Sequence, residues 1–262
     1  MGSPTHSFRQ GPVFAAALTL CLLGAQDAVA QKGEPCRFEA RGNGIVAAIV
    51  DARSVRLADG REIKLAGIDL APAASRAALE DLVLGKDIAL AAPSEEPDRY
   101  GRITAFAFVN GSETPVQYKL LSLGHARVPA AVEDHACAAA LLREERKARD
   151  ARIGLWADPR YAVRAAGDGQ AIRLLRGRFS VAEGRVVSVR DGGHTIYINF
   201  GRRWSEALTV TILKRHEPAF AAAGLGPKSL EGRTIRVRGY VDVRNGPVIE
   251  ATRPGQIEIA AR

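Results

Sequence analysis

Cysteine, methionine and aromatic side chains are scarce in this chain of 262 residues, which has three Cys, one Met and two Trp. No Cys-x-x-Cys pair occurs, and no His/Cys group has zinc-ligand spacing, which excludes a zinc-binding module. His125, His135, His194 and His216 stand apart from one another and from any plausible nucleophile. A phosphate-cradling P-loop, a dinucleotide glycine pattern and a Ser/His/Asp order are also missing. Beyond the N-terminus, no stretch approaches the roughly 20 apolar residues needed to span a bilayer as a helix.

What is present begins with an export pattern. Arg9 precedes the apolar run from Val13 to Leu23, and Ala28-Val29-Ala30 follows as a small-x-small cleavage signal. These are the parts of a secretory signal peptide, assigned to residues 1–30; an uncleaved N-terminal anchor is the alternative. The bulky Leu20 before Cys21 argues against a lipoprotein site. The expected product is exported, periplasmic or secreted. It retains Cys36 and Cys137, which an oxidising compartment would join as one disulfide. Closing a loop of that length stabilises by about 4–5 kcal/mol in the chain-entropy account. A formal net charge of +8 favours polyanions, either nucleic acid or anionic lipid, although it equally serves plain solubility.

Periodicity organises the rest. Residues 45–50, 54–57 and 62–68 predict three strands, with Asp59-Gly60 as a two-residue hairpin turn. A helix is predicted over 73–84, strands over 87–91 and 102–109, and a second helix with Thr114 as N-cap and Pro115 at its first position. A third, over 132–152, carries an Ala-rich face and Glu/Arg/Lys pairs suited to an amphipathic surface helix. The order matches an oligonucleotide-binding (OB) barrel. Residues 158–176 predict a linker. Strands return over 181–190, 195–200, 208–213, 234–243, 247–251 and 256–259, with a short helix over 217–223. The fold class is therefore mainly β with helices (α+β). It comprises an OB-type barrel domain over 31–157 and a second β-rich, OB-like domain over 177–262, with a β-sandwich as the alternative for the latter.

The stretches Ile63–Asp69, Leu84–Lys86, Asp98–Arg102, Leu120–Ala126 and Ala151–Trp156, taken in order, resemble the thermonuclease (staphylococcal-nuclease-like) family over residues 40–160. That resemblance implies calcium-dependent hydrolysis of nucleic-acid phosphodiesters. The chemistry needs carboxylates for a hard cation, a general base for water and two arginines on the phosphoryl oxygens. By resemblance Asp69 is a metal carboxylate and Arg102 one phosphate-clamping arginine. Lys64 replaces the other arginine and loses its bidentate fork. Arg53 stands where a metal carboxylate is expected, and Pro72 replaces the general-base glutamate. Asp51, Glu95, Glu96 and Asp98 are the carboxylates near enough in sequence to substitute. Bland roles exist beside these: Asp69 as a turn residue, Arg102 as the ion-pair partner of Asp98 or Glu80, and Trp156 as a core plug.

In the second domain, Tyr197-Ile198-Asn199-Phe200-Gly201-Arg202-Arg203-Trp204 interleaves aromatic and basic residues, and Arg236 and Arg238 add charge nearby. Tyr197, Arg202, Arg203, Arg236 and Arg238, with Arg102, are the nucleic-acid-binding candidates. Three functions follow: a nuclease with an altered and weakened site, a non-catalytic nucleic-acid or polyanion binder, and an envelope interaction module that uses the fold as scaffold.

Overall fold

Alternating apolar and polar side chains set the first half of the chain into a barrel. β1 (Glu39–Asp51), β2 (Ser54–Leu57) and β3 (Glu62–Leu65) form a meander, in which Val55 faces Ile63 across the β2–β3 pair. β4 (Asp69–Leu70) and helix α1 (Ala74–Val83) precede β5 (Asp87–Ala92) and β6 (Ile103–Val109). The hydrogen-bonded path β1-β2-β3-β6-β5 closes on itself, and β3 and β6 run parallel. Val46, Val55, Leu57, Ile63, Leu65, Ile88, Leu90 and Phe106 fill it, with Leu79 and Val83 of α1 packed against them. Then come α2 (Val116–Ser122), β7 (Ala126–Arg127), which pairs with β4, and α3 (His135–Ala151). This computed structural model describes residues 1–2, 36, 39–70, 74–92 and 96–260. The described residues from Cys36 onward form one compact unit. The expected signal peptide lies outside the described residues except for its first two. Among the described residues no helix is long and apolar enough to cross a membrane.

The second half carries β8 (Arg164–Ala165), α4 (Gly169–Arg173), β9 (Phe179–Arg185), β10 (Ser188–Asp191), β11 (Thr195–Asn199), β12 (Thr209–Leu213), α5 (Glu217–Ala222), β13 (Thr234–Val243), β14 (Pro247–Glu250) and β15 (Ile257–Ile259). Its sheet runs β10-β11-β12-β14-β13-β9-β8, with β15 also on β13. β9 and β10 are successive halves of one run, so the path returns to where it started. β12 and β14 run parallel, as β3 and β6 do in the first barrel, and a helix again separates the third and fourth strands. Both halves thus follow OB order. Ile196, Ile198, Val210, Ile212, Phe220, Ile235, Val237 and Ile249 form this second core.

Several local readings are corrected. The hairpin loop around Asp59-Gly60 has three residues, 58–60, because the Leu57 N–H donates to the Arg61 carbonyl at 2.9 Å and the Gly60 N–H to the Leu57 carbonyl at 3.0 Å. Pro115, not Thr114, takes the cap position of α2. Residues 158–176, read as a linker, hold two short helical turns or helices and β8, which pairs with β9. Cys36 and Cys137 are joined as expected, with Cα atoms 4.4 Å apart. Gly124 and Gly154 lock the ends of α2 and α3 together: each has positive φ, and a Cβ on Gly154 would lie 2.3 Å from the Gly124 carbonyl oxygen.

Helix α3 is not the surface helix that its pattern predicts. Its Glu145–Arg149 pair, spaced as for a surface helix, is buried. Arg238 of β13 grips Glu145 with both prongs, at 2.9 Å to each oxygen, and also donates to Glu258 of β15 at 2.8 Å. Arg149 adds a bond to Glu145 at 2.6 Å. The Val128 N–H donates to Glu145 at 2.6 Å, and Arg238 donates to the Val128 carbonyl at 3.0 Å. Burial opposes charge on Arg238, but Glu145 and Glu258 outweigh it and hold its pKa above the usual value. For Glu258 burial again opposes charge, and Arg238, Arg149 and Arg236 overcome it, lowering its pKa. Removing one member of such a network strands the others as unpaired buried charge. Arg238→Met is therefore expected to lower the unfolding free energy by about 3–5 kcal/mol in urea titrations followed by circular dichroism. A loss below about 1 kcal/mol, the range of exposed ion pairs, would show that the network does not hold the two barrels together.

Candidate phosphate site and aromatic face

Strand register gathers the first-barrel candidates. Lys64 pairs with Ser54 on one side and Thr104 on the other, so it lies beside the β1–β2 turn that carries Arg53 and the start of β6 that follows Arg102. Asp51 shapes that turn by accepting the Arg53 backbone N–H at 2.8 Å. Burial, then the charges of Arg53 and Arg102, lower the Lys64 pKa. Asp98 and Asp51 oppose that shift, so Lys64 sits among both cations and carboxylates.

Asp69 is bound by cations on both of its oxygens. Arg53 Nη1 reaches Oδ1 at 3.5 Å and Arg127 Nη2 reaches Oδ2 at 3.3 Å. Arg127 faces Asp69 directly in the β4–β7 pair, and its guanidinium lies 4.2 Å from the centre of the Phe179 ring of β9. Arg127 has no place among the sequence candidates. It follows the recognisable Leu120–Ala126 stretch by one residue, but its partnership across 58 positions has no local signature.

Arg102 takes the ion pair with Asp98, not Glu80. Its Nε and Nη2 donate to one Asp98 oxygen at 2.9 and 2.8 Å, while the backbone N–H groups of Tyr100 and Arg102 donate to the other. The guanidinium also lies 5.0 Å from the centre of the exposed Tyr100 ring. Asp98 both shapes the loop and orients the arginine. Pro72 and Glu95 lie outside the described residues.

The second-barrel candidates separate into two groups. Arg238 is 1% exposed and Arg236 is bonded to Glu183, so these two, expected on a nucleic-acid surface, are structural instead. Both lie on the face of β13 opposite the core residues Ile235 and Val237, where carboxylates of β9, β15 and α3 neutralise them. Arg202 and Arg203 are exposed; Arg203 pairs with Glu206 at 2.8 Å. Tyr197 stacks on Trp204 with ring centres 5.7 Å apart and planes 10° apart. Trp156 is 7% exposed and belongs to a small core with Leu155, Ala148 and Val181.

Residues 63–158 match the family described as Staphylococcal nuclease homologue. No curated protein matches the chain. The first barrel is thus the fold of a phosphodiester-hydrolase family that generally uses Ca²⁺. The residues present do not fit that ion. Ca²⁺ seeks six to eight oxygens, yet both Asp69 oxygens face guanidinium groups. Among the described residues, no three His, Cys, Asp or Glu side chains lie close enough to share a metal.

The hydrogen bonds from Arg102, opposed by partial desolvation and reinforced by the backbone N–H groups of Arg102 and Tyr100, lower the Asp98 pKa to about 2. A carboxylate lowered on folding stabilises the native state above its ordinary range. That contribution declines as pH falls from about 3.8 through about 2. In Arg102→Gln, the Asp98 carboxyl is expected to titrate closer to the ordinary range, read by carbon-13 NMR. An unchanged midpoint would mean that the loop backbone alone sets it.

Proposed function

We propose, for a chain whose residues 63–158 form a staphylococcal nuclease homologue domain, that the protein is exported, binds single-stranded nucleic acid by its phosphates, and hydrolyses it weakly or not at all. The observation that carries this reading is the pair of arginines on Asp69. A cation seat filled by Arg53 and Arg127 keeps the positive charge that attracts phosphate. It lacks the Lewis acidity and the open coordination position that metal-assisted hydrolysis requires. Pro72 adds to the argument from sequence, since its side chain has no proton acceptor for water activation.

Lys64, Arg102, Arg53 and Arg127 supply the binding chemistry. Burial, then repulsion from Arg53 and Arg102, lowers the Lys64 pKa, and an arriving phosphate oxygen would relieve the repulsive part. Arg102 keeps its Nη1 for a phosphate while Asp98 holds Nε and Nη2. Export is supported by the N-terminal signal pattern and by the Cys36–Cys137 disulfide, a cross-link that persists in oxidising compartments.

The test is fluorescence anisotropy of a labelled single strand, with cleavage followed on a gel in the same samples. Affinity is expected to fall steeply with salt, as release of counterions requires, and to be the same in Ca²⁺ and in chelator. Lys64→Ala with Arg102→Ala should weaken binding by about tenfold or more, since each lost charge-assisted contact removes roughly 1.5 kcal/mol or above. Rapid Ca²⁺-dependent cleavage that disappears in Arg102→Ala would overturn the proposal.

A further inference from the structure

The outward face of the second barrel holds a lined cavity that the first-barrel chemistry does not use. Across β11 and β12, Tyr197 sits opposite Thr211, and Thr209 neighbours Val248 on β14. These four share the face opposite the core residues Ile196, Ile198, Val210 and Ile212. The loop that follows β11 folds over this face and lays Trp204 against Tyr197. Arg173 holds the cover in place, donating from Nη2 to the Ser205 carbonyl at 3.2 Å and to the Asn245 carbonyl at 3.3 Å. Gly246 allows the closest approach: a Cβ there would stand 1.7 Å from the Trp204 carbonyl oxygen. The space enclosed with Arg244 and Asn245 is about 170 Å³, enough for one planar heterocycle.

Two independent features indicate what fits. Thr209 and Thr211 are each 5% exposed. Thr209 donates to Asn199 Oδ1 at 3.3 Å, but the buried Thr211 hydroxyl has no partner. A buried hydroxyl without a hydrogen bond destabilises the native state, and Thr211 is one of the residues that line the cavity. Trp204, with one face on Tyr197, remains 45% exposed and offers an aromatic platform. Arg244 lines the cavity, mostly exposed and paired with Asp242 at 3.1 Å and Glu250 at 3.9 Å; the exposed Arg202, two residues before Trp204, makes no hydrogen bond or ion pair among the described residues.

We propose that this cavity is a base-binding subsite for single-stranded nucleic acid. The base stacks on Trp204, its polar edge bonds the Thr211 hydroxyl, and Arg202 and Arg244 meet the flanking phosphates. Stacking on an aromatic platform accepts any base, so the site selects for the presence of a base and only weakly for its identity. A bare polyanion satisfies the arginines but leaves Thr211 and Trp204 unused. The subsite stands on different residues from the phosphate site of the first barrel, so either assignment can fail alone.

The experiment titrates the purified protein with a short oligothymidylate, an abasic strand of the same length, and heparin, following tryptophan emission. Trp156 is buried, and Trp204→Phe assigns the response. Oligothymidylate is expected to quench Trp204, whereas the abasic strand and heparin leave it nearly unchanged. Trp204→Ala should weaken oligothymidylate binding by about tenfold or more. Thr211→Val should weaken it by about three- to tenfold while the melting temperature holds or rises, because the lost hydroxyl had no partner. Lys64→Ala with Arg102→Ala should lower overall affinity but leave the quenching amplitude at saturation intact. Equal quenching by abasic strand or heparin, absence of quenching by oligothymidylate, or unchanged binding in Thr211→Val would each overturn the subsite.

Discussion

The buried guanidinium of Arg238 is the contact on which the rest of this structure depends. It joins a helix of the first barrel to two strands of the second through Glu145 and Glu258, with no water-exposed route to relax. Ion pairs at such depth contribute little net stability compared with an apolar replacement, but they penalise misalignment heavily. Their effect here is positional. Glu145 accepts from four donors at once: two prongs of Arg238, Arg149 and the Val128 N–H. Any rotation of one barrel against the other would unseat several of these bonds together.

That fixed geometry reaches the candidate phosphate site. Val128 is held by both its N–H and its carbonyl, so the preceding residue, Arg127, has little backbone freedom. Arg127 is further packed against Phe179 of the second barrel and directed onto Asp69. The second barrel thereby helps place a guanidinium where the resemblance expects a metal. Arg53, from the β1–β2 turn, completes the replacement. One carboxylate bound by two arginines is a stable arrangement without calcium, and it leaves the site cationic.

Much of this was legible in the chain. Strand periodicity, the helix between third and fourth strands, and the five ordered stretches between Ile63 and Trp156 carried the first barrel. The replacements at Arg53 and Lys64 were readable as charge changes at defined positions. What escaped had a common physical cause: it depended on contacts between residues distant in sequence. Glu145 and Arg149 have the spacing of an exposed helical pair, and nothing local distinguishes that from the buried version seen here. Arg236 and Arg238 looked like surface charge because strand alternation gives no information about carboxylates arriving from β15 and α3. Arg127 and Thr211 likewise gain their roles only from the strands opposite them. Tyr197 and Trp204 were legible as an aromatic patch, but the cover formed by Arg173 and Gly246 was not.

Guanidinium groups satisfy both oxygens of Asp69. The most direct measurement follows the Asp69 side-chain carboxyl carbon by NMR while Ca²⁺ is added into the millimolar range, where even weak protein sites for this ion fill. The resonance is expected to stay in place, because both oxygens already face arginine. A saturable shift of that resonance, with calcium binding lost in Asp69→Asn, would contradict this assignment.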